Sequence, residues 1–167
     1  MGEIWLRSNC LFEGYKNDPE LTAQVCVDGW LDSGDRGYLV GADLFFVARE
    51  KDLIVVGGEK YAPHDVEMAI NRVEGVRQGC AVAFGVANPQ SGTEELGAVV
   101  ETRVEGADAL AALGRDVRRE VARTIGLGIR YLHLVAPGGI DKTTSGKLAR
   151  RSTRARYPGV FGGEDGS

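Results

Sequence analysis

The residues best suited to chemistry lie near the C-terminus, in Thr143-Thr144-Ser145-Gly146-Lys147. This turn of small residues offers hydroxyl groups, backbone amides and one cationic side chain within a short stretch. Six basic residues and no acidic one lie between Lys142 and Arg156. Their position beside the turn favours an anionic ligand, although a basic tract usually forms a solvated helix face.

The turn is not a phosphate-binding P-loop. That motif requires a glycine five residues before the glycine of its Gly-Lys pair, and a Ser or Thr after the lysine. Asp141 and Leu148 occupy those two positions. Taken by itself, Lys147 therefore fits either a contact to an anion or an ordinary surface lysine on a turn.

Two upstream segments contain further residues of chemical interest. In Trp30-Leu31-Asp32-Ser33-Gly34-Asp35, the carboxylate of Asp35 is a pure acceptor with two oxygens, which suits a vicinal diol. The second segment runs from Arg49 to Pro63 and contains Gly57-Gly58, a pair that readily adopts positive φ and permits close approach to a substrate. Ser-Gly-Asp also occurs in ordinary turns, so Asp35 alone does not establish a site.

The elements around these residues are predicted from periodicity and turn signals. Residues 1–48 are predicted to be β-rich, with a hairpin around Gly41 and a short helix that begins at Pro19 after an Asp18 cap. Four consecutive charged residues, 49–52, predict a hinge linker. Residues 158–167 are predicted to be a disordered tail.

Residues 53–157 are predicted to form one small α+β domain with a short mixed sheet and packed helices. The predicted strands are 53–56, 80–86, 96–102 and 131–135. Helices that begin at 63 and 108 lie between them, and the basic tract is predicted to form a last helix. Residues 80–86 are apolar on both faces, which predicts a strand at the centre of the sheet. The fold class is thus an α+β domain preceded by a partial β-rich subdomain.

Composition excludes several classes of protein. The net charge of -4 argues against general affinity for nucleic acid. The longest apolar runs are far shorter than the roughly 20 residues of a membrane span, and no signal peptide is evident. Three widely spaced cysteines predict neither a disulfide framework nor a metal site, and fit a reducing cytoplasm.

In this order, the three segments resemble motifs of the adenylate-forming superfamily, which includes acyl-CoA synthetases, fatty-acyl-AMP ligases and the adenylation domains of peptide synthetases. The resemblance covers residues 2 to about 156, and only the last part of such an enzyme. It implies ATP- and Mg²⁺-dependent conversion of a carboxylic acid, with a fatty acid favoured, to acyl-AMP. The acyl group would then pass to CoA or to the phosphopantetheine of an acyl carrier protein.

The resemblance also implies roles for individual residues. Lys147 would be catalytic, reaching the carboxylate and the α-phosphate during adenylation. Asp35 would accept hydrogen bonds from the ribose hydroxyls, Arg49 would contact ribose or phosphate, and Lys51 would be the hinge of a domain rotation. After that rotation, the site of thiol transfer would be lined by Gly57, Gly58, Glu59 and Lys60.

Other expected parts of such an enzyme are missing from the sequence, including the phosphate loop and the acyl pocket. The chain alone is therefore predicted to be inactive and to bind no cofactor tightly. Its implied partners are acyl-adenylate, CoA or a carrier protein, and the missing N-terminal ligase domain. One alternative is a non-catalytic binding or regulatory module derived from such a ligase. Nucleic-acid binding through residues 142–156 is a weaker alternative, because aromatic residues are not interleaved with the basic ones.

Overall fold

The computed structural model describes residues 1–161 of the 167. The chain divides into two units, Met1–Asp52 and the part from Leu53 onward. Among the residues described, no helix combines the length and apolar character needed to cross a membrane.

The first unit is a four-stranded sheet with one short helix. Its elements are β1 (Gly2–Leu6), α1 (Pro19–Val25), β2 (Cys26–Val27), β3 (Trp30–Val40) and β4 (Asp43–Arg49). Strand β3 pairs antiparallel with β1, β2 and β4, and the predicted hairpin joins β3 to β4. The helix begins as predicted, because Asp18 Oδ1 accepts a hydrogen bond from Leu21 N at 2.9 Å.

The first unit buries very little of its apolar surface. Ala48 is the only hydrophobic residue among residues 1–52 that belongs to the buried core. Of the large hydrophobic side chains that stay exposed in the described chain, all but Met68 lie in this unit. A small sheet without a core is marginally stable in water and depends on partner surfaces.

The second unit is an α+β domain, which confirms the predicted fold class. Its elements are β5 (Ile54–Val56), β6 (Glu59–Tyr61), α2 (Pro63–Asn71), β7 (Val76–Asn88), β8 (Thr93–Thr102), α3 (Ala107–Ile125), β9 (Ile129–Val135), α4 (Arg150–Arg156) and α5 (Pro158–Phe161). The main sheet has the order β7-β8-β9, with β7 antiparallel and β9 parallel to β8. Strands β5 and β6 form a separate antiparallel hairpin.

Apolar layers cover both faces of the main sheet. On the first face, α2, α3 and the β5–β6 hairpin pack on residues such as Ala81 and Ala83 of β7. On the second face, the segment from Ile140 to Phe161 packs on Val82 and Phe84 of the same strand. The prediction that residues 80–86 form the central strand is therefore wrong. Strand β7 lies at the edge of the sheet, and its two-sided burial comes from the layers above and below it.

The structure also corrects the prediction of a disordered tail. Pro158–Phe161 forms α5, and Phe161 is only 2% exposed. Its ring packs edge-on against Phe84, with 4.8 Å between ring centroids. Burial of this ring offsets the entropy lost in ordering these residues. The rest of the predicted tail, 162–167, lies outside the described residues.

The junction of the two units is more regular than the linker predicted at 49–52. Arg49 is the last residue of β4, and Glu50–Asp52 forms one 3₁₀ turn. Arg36 on β3 holds this turn through an ion pair with Glu50 at 2.8 Å. The division between the units follows this turn, before Leu53.

Limited proteolysis should reveal the same division. Lys51 is exposed and lies at the junction, so we expect brief trypsin digestion to cut after Lys51 and to leave the second unit as the surviving fragment. Mass spectrometry of the early fragments provides the measurement, with Lys51→Gln as the control that should delay this cut. Early loss of the second unit, with survival of residues 1–48, would contradict the boundary.

Candidate functional site

Lys147 lies at the end of a tight hairpin turn. Lys142 and Leu148 form an isolated antiparallel bridge, and Thr143 N donates to Lys147 O at 2.8 Å. Gly146 closes the turn at φ +80°, and its N–H donates to Thr143 O. The backbone is thus fixed, whereas the Lys147 side chain is exposed and forms no ion pair within residues 1–161.

Glu101 holds the chain that leads into this hairpin. The residue is on β8 and is only 1% exposed. Its Oε1 accepts hydrogen bonds from Gly138 N at 2.9 Å and from Ile140 N at 3.0 Å. Its Oε2 forms an ion pair with Arg77 on β7. The turn between β9 and the hairpin is therefore anchored on the central strand.

Glu67 holds the chain that leaves the hairpin. Its nearly buried carboxylate, on α2, accepts two hydrogen bonds from the guanidinium of Arg150, both at 2.7 Å. The same carboxylate accepts from Ala83 N at 3.1 Å. In addition, Thr153 Oγ1 accepts from Asp141 N at 3.0 Å, which joins α4 to the base of the hairpin. None of these contacts was predicted from the sequence.

The Glu101 carboxylate should make the stability of the domain depend on pH. Burial would raise the pKa of Glu101, but hydrogen bonds from Ile140 N, Arg77 and Gly138 N outweigh burial and lower that pKa below its usual 4.5. A carboxyl group with a lowered folded-state pKa stabilises the fold above its unfolded-state pKa. This stabilisation is lost as the pH falls through the folded-state value.

We therefore expect the free-energy difference between wild type and Glu101→Gln to shrink as the pH falls below 4.5. Chemical denaturation between neutral pH and pH 3 provides the measurement, since the variant lacks this ionisation. Glu105→Gln serves as a control, because this exposed side chain forms no hydrogen bond or ion pair within residues 1–161. A difference for Glu101→Gln that stays constant with pH would refute this interpretation.

Asp35 and Arg49, the predicted nucleotide contacts, face each other in the first unit. They are paired residues of β3 and β4, and Arg49 Nε lies 3.6 Å from Asp35 Oδ1. Against β1, the register of β3 shifts between Asp32 and Arg36, a stretch that includes Asp35. Against β4, the register shifts between Arg36 and Gly37. Bulges of this kind change where a side chain points and occur often beside functional sites.

The carboxylate of Asp35 is incompletely satisfied. The side chain is 29% exposed, and Asp35 Oδ1 is shielded from solvent. Within the described residues this oxygen accepts no hydrogen bond, because the 3.6 Å separation from Arg49 is too long for one. An unsatisfied buried acceptor costs roughly 1–3 kcal/mol, so an additional donor would stabilise this group.

Gly57 and Gly58 form the predicted tight turn, at φ +61° and +85°. The turn joins β5 to β6 and is fixed to the start of β8. Thr93 Oγ1 accepts from Gly57 N at 2.9 Å, and Glu94 Oε2 accepts from Val55 N at 2.7 Å. A side chain at Gly58 would meet open space, so this turn is accessible from outside.

The two hairpins of the second unit lie on opposite faces of the main sheet. The β5–β6 hairpin contributes Ile54 to the layer that contains α2 and α3, and its residues Glu59 and Lys60 are exposed. Leu148, next to Lys147, packs in the layer on the other face. A single orientation of the domain therefore cannot direct both hairpins at one point.

Comparison with solved structures defines the class of protein. The chain matches McyG A-PCP complexed with phenylalanyl-adenylate at a TM-score of 0.80 and 29% identity, over 93% of this chain and 24% of that one. It matches a structure from work on fatty acyl-adenylate ligases of E. coli and L. pneumophila at 0.77 and 29%, over 93% and 27%. The chain thus belongs to the adenylate-forming, or AMP-binding, superfamily, and its extent is consistent with a C-terminal fragment.

Sequence comparison leads to the same family, although no protein-family model matches the chain. The long-chain-fatty-acid–AMP ligase FadD26 of Mycobacterium tuberculosis is 34% identical over 175 aligned positions. The alignment covers 94% of this chain and 29% of that ligase. The chain therefore spans less than a third of the length of this relative.

Proposed function

We propose that this chain is the C-terminal part of an ATP-dependent acyl-activating ligase, with a fatty acid as the favoured substrate. A carboxylate would attack the α-phosphate of ATP, giving acyl-AMP and pyrophosphate. A thiol of CoA or of carrier-protein phosphopantetheine would then take the acyl group and release AMP. The observation that carries the proposal is the attachment of the two hairpins that contain the candidate residues to opposite faces of one sheet.

Adenylation would use Lys147, Asp35 and Arg49. The exposed Lys147 ammonium on its fixed turn would stabilise negative charge as pyrophosphate leaves, since positioned cations act by electrostatic stabilisation of the transition state. The Asp35 carboxylate, whose Oδ1 accepts no hydrogen bond within the described residues, would accept hydrogen bonds from two ribose hydroxyls, and the exposed Arg49 would contact ribose or phosphate. Within residues 1–161, no group of three or more His, Cys, Asp or Glu could hold a metal ion.

Thiol transfer would use the other hairpin. Gly57 and Gly58 leave room for a pantetheine chain, and Glu59 and Lys60 flank it with exposed polar groups. To bring first one hairpin and then the other to the reacting atoms, the second unit would rotate. The hinge would be the junction at Lys51, where a change of φ and ψ in a few residues can turn the whole unit. The partners would be acyl-adenylate, the thiol substrate and the remaining portion of the ligase.

Reconstitution tests this proposal. We expect the purified chain alone to exchange no pyrophosphate into ATP with fatty acids. Exchange should appear when the remaining portion of a FadD26-type ligase is supplied separately, and it should disappear again with Lys147→Ala but not with Arg151→Ala. Exchange by the chain alone would contradict the fragment assignment. Absence of exchange with a folded complementing portion that binds the chain would favour the non-catalytic module.

A further inference from the structure

We propose that Glu67 and Glu101 are positioning residues for Lys147, two buried carboxylates that hold the exit and the entry of its hairpin. This inference rests on the proposed role of Lys147. Neither carboxylate is placed to touch a substrate, because both lie in the interior at 4% and 1% exposure. Their effect would pass through the backbone of residues 138–150.

At the entry, the partners of Glu101 define what the carboxylate does. A buried charge is tolerated only when it is paired and hydrogen-bonded, and an apolar residue would often be as stable there. The Glu101 carboxylate forms an ion pair with Arg77, and its Oε1 accepts hydrogen bonds from two backbone amides, Gly138 N and Ile140 N. These amides belong to the turn that leads into the hairpin, so the direction of that chain depends on the carboxylate.

At the exit, α4 does not stabilise its own first turn. The helix has seven residues, and its N-cap residue Ala149 provides no side-chain cap. Helices this short are unstable without tertiary contacts. Arg150, the first residue of the helix, lies three residues after Lys147 and donates two hydrogen bonds to the Glu67 carboxylate. The ion pair thus fixes the point where the chain leaves the hairpin.

Hydrogen bonds between the two ends complete the arrangement. Ala149 N donates to Asp141 O at 2.9 Å, and Asp141 N donates to Thr153 Oγ1. The hairpin therefore projects from two fixed ends that are attached to β8 and α2. Since misplacing a reacting group by about 1 Å can cost roughly 100-fold in rate, fixed ends matter for a catalytic lysine.

Residue-resolved amide hydrogen exchange of the purified chain tests the inference without any catalysis. In Glu101→Gln and in Glu67→Gln, we expect Thr143, Gly146 and Ala149 amides to exchange about 10- to 100-fold faster, as expected when a hydrogen bond to a charged group is lost. Amides of the β7–β8 ladder should keep their protection, apart from Ala83 N, which donates to Glu67 itself. The matched control is Glu120→Gln, which removes a carboxylate that accepts hydrogen bonds from Arg123 and Thr124 of its own helix and makes no contact with the hairpin.

Three results would decide the question. Faster exchange confined to the hairpin in both variants supports positioning. Equal acceleration in the hairpin and in the β7–β8 ladder would show that the carboxylates only stabilise the domain, and unchanged hairpin exchange would also overturn the inference. Arg150→Lys, which keeps the charge but not the paired contact, replaces Glu67→Gln if that variant does not fold. Failure of the reconstitution experiment would overturn the proposed function and leave this measurement standing.

Discussion

Replacing Lys147 with alanine should slow adenylation about 100- to 1000-fold in a ligase completed by its remaining portion, as removal of one transition-state contact typically does. Transfer of the acyl group from preformed acyl-AMP to a thiol should change little. The reason is that Lys147 lies on the face of the sheet opposite the Gly57-Gly58 turn. Single-turnover measurement of each half-reaction separates the two effects.

The reverse pattern is expected for Gly58→Leu. A leucine at φ +85° is strained, and its side chain would project into the open space where the proposed function places the thiol. We therefore expect slower thiol transfer and unchanged adenylation. If Lys147→Ala slowed both half-reactions equally, the lysine would act through folding or general binding, and the rotation of the second unit would lose its support.

Removing the guanidinium of Arg150 should destabilise the second unit by about 3 kcal/mol, since the nearly buried Glu67 carboxylate would lose its charge partner. This value is at the lower end of the range for a broken buried pair, because the Arg150 side chain is 29% exposed. The matched control is the neighbouring exposed Arg151, whose replacement by alanine should change stability by less than about 0.5 kcal/mol.

The measurement must report on the second unit alone. Both tryptophans, Trp5 and Trp30, lie in the first unit, so tryptophan fluorescence would follow the wrong transition. Far-ultraviolet circular dichroism during denaturation is suitable, because most of the α-helix of the described chain belongs to the second unit and the first contributes only the seven-residue α1. If Arg150→Ala and Arg151→Ala lowered the free energy of unfolding equally, solvent would already screen the Glu67–Arg150 pair. The pair would then contribute little to the stability of the second unit.

Elements with local signals were predicted well from the sequence. The Asp18 cap, the Pro63 start of α2 and the Gly57-Gly58 turn depend on neighbouring residues, and each is present in the structure. The position of β7 was predicted wrongly, because periodicity shows that both faces are covered but not by what. Helix α5 was missed for a related reason, since the burial of Phe161 depends on Phe84, far away in sequence.

The candidate site divides in the same way. Lys147, Asp35 and Arg49 were predicted as site residues because they belong to short motifs. Glu67 and Glu101 were not, because their partners are as many as 83 and 39 positions away in the chain. One signal was available in the sequence: Glu101 directly follows the apolar run 96–100 within the same strand, and a charged residue in such a place usually has a specific partner.

The sheet between the two hairpins has a consequence for how such enzymes diversify. The apolar side chains that pack under the Lys147 hairpin and those that pack under the Gly57-Gly58 turn belong to different layers, separated by β7, β8 and β9. Glu67 is an exception, because it lies on α2, in the layer of the turn, and supports the Lys147 hairpin through Arg150. Substitutions far apart and without shared partners have nearly independent effects. Under the proposed function, the acyl acceptor could therefore change during evolution, from CoA to a carrier protein or the reverse, while the machinery of acid activation stayed intact.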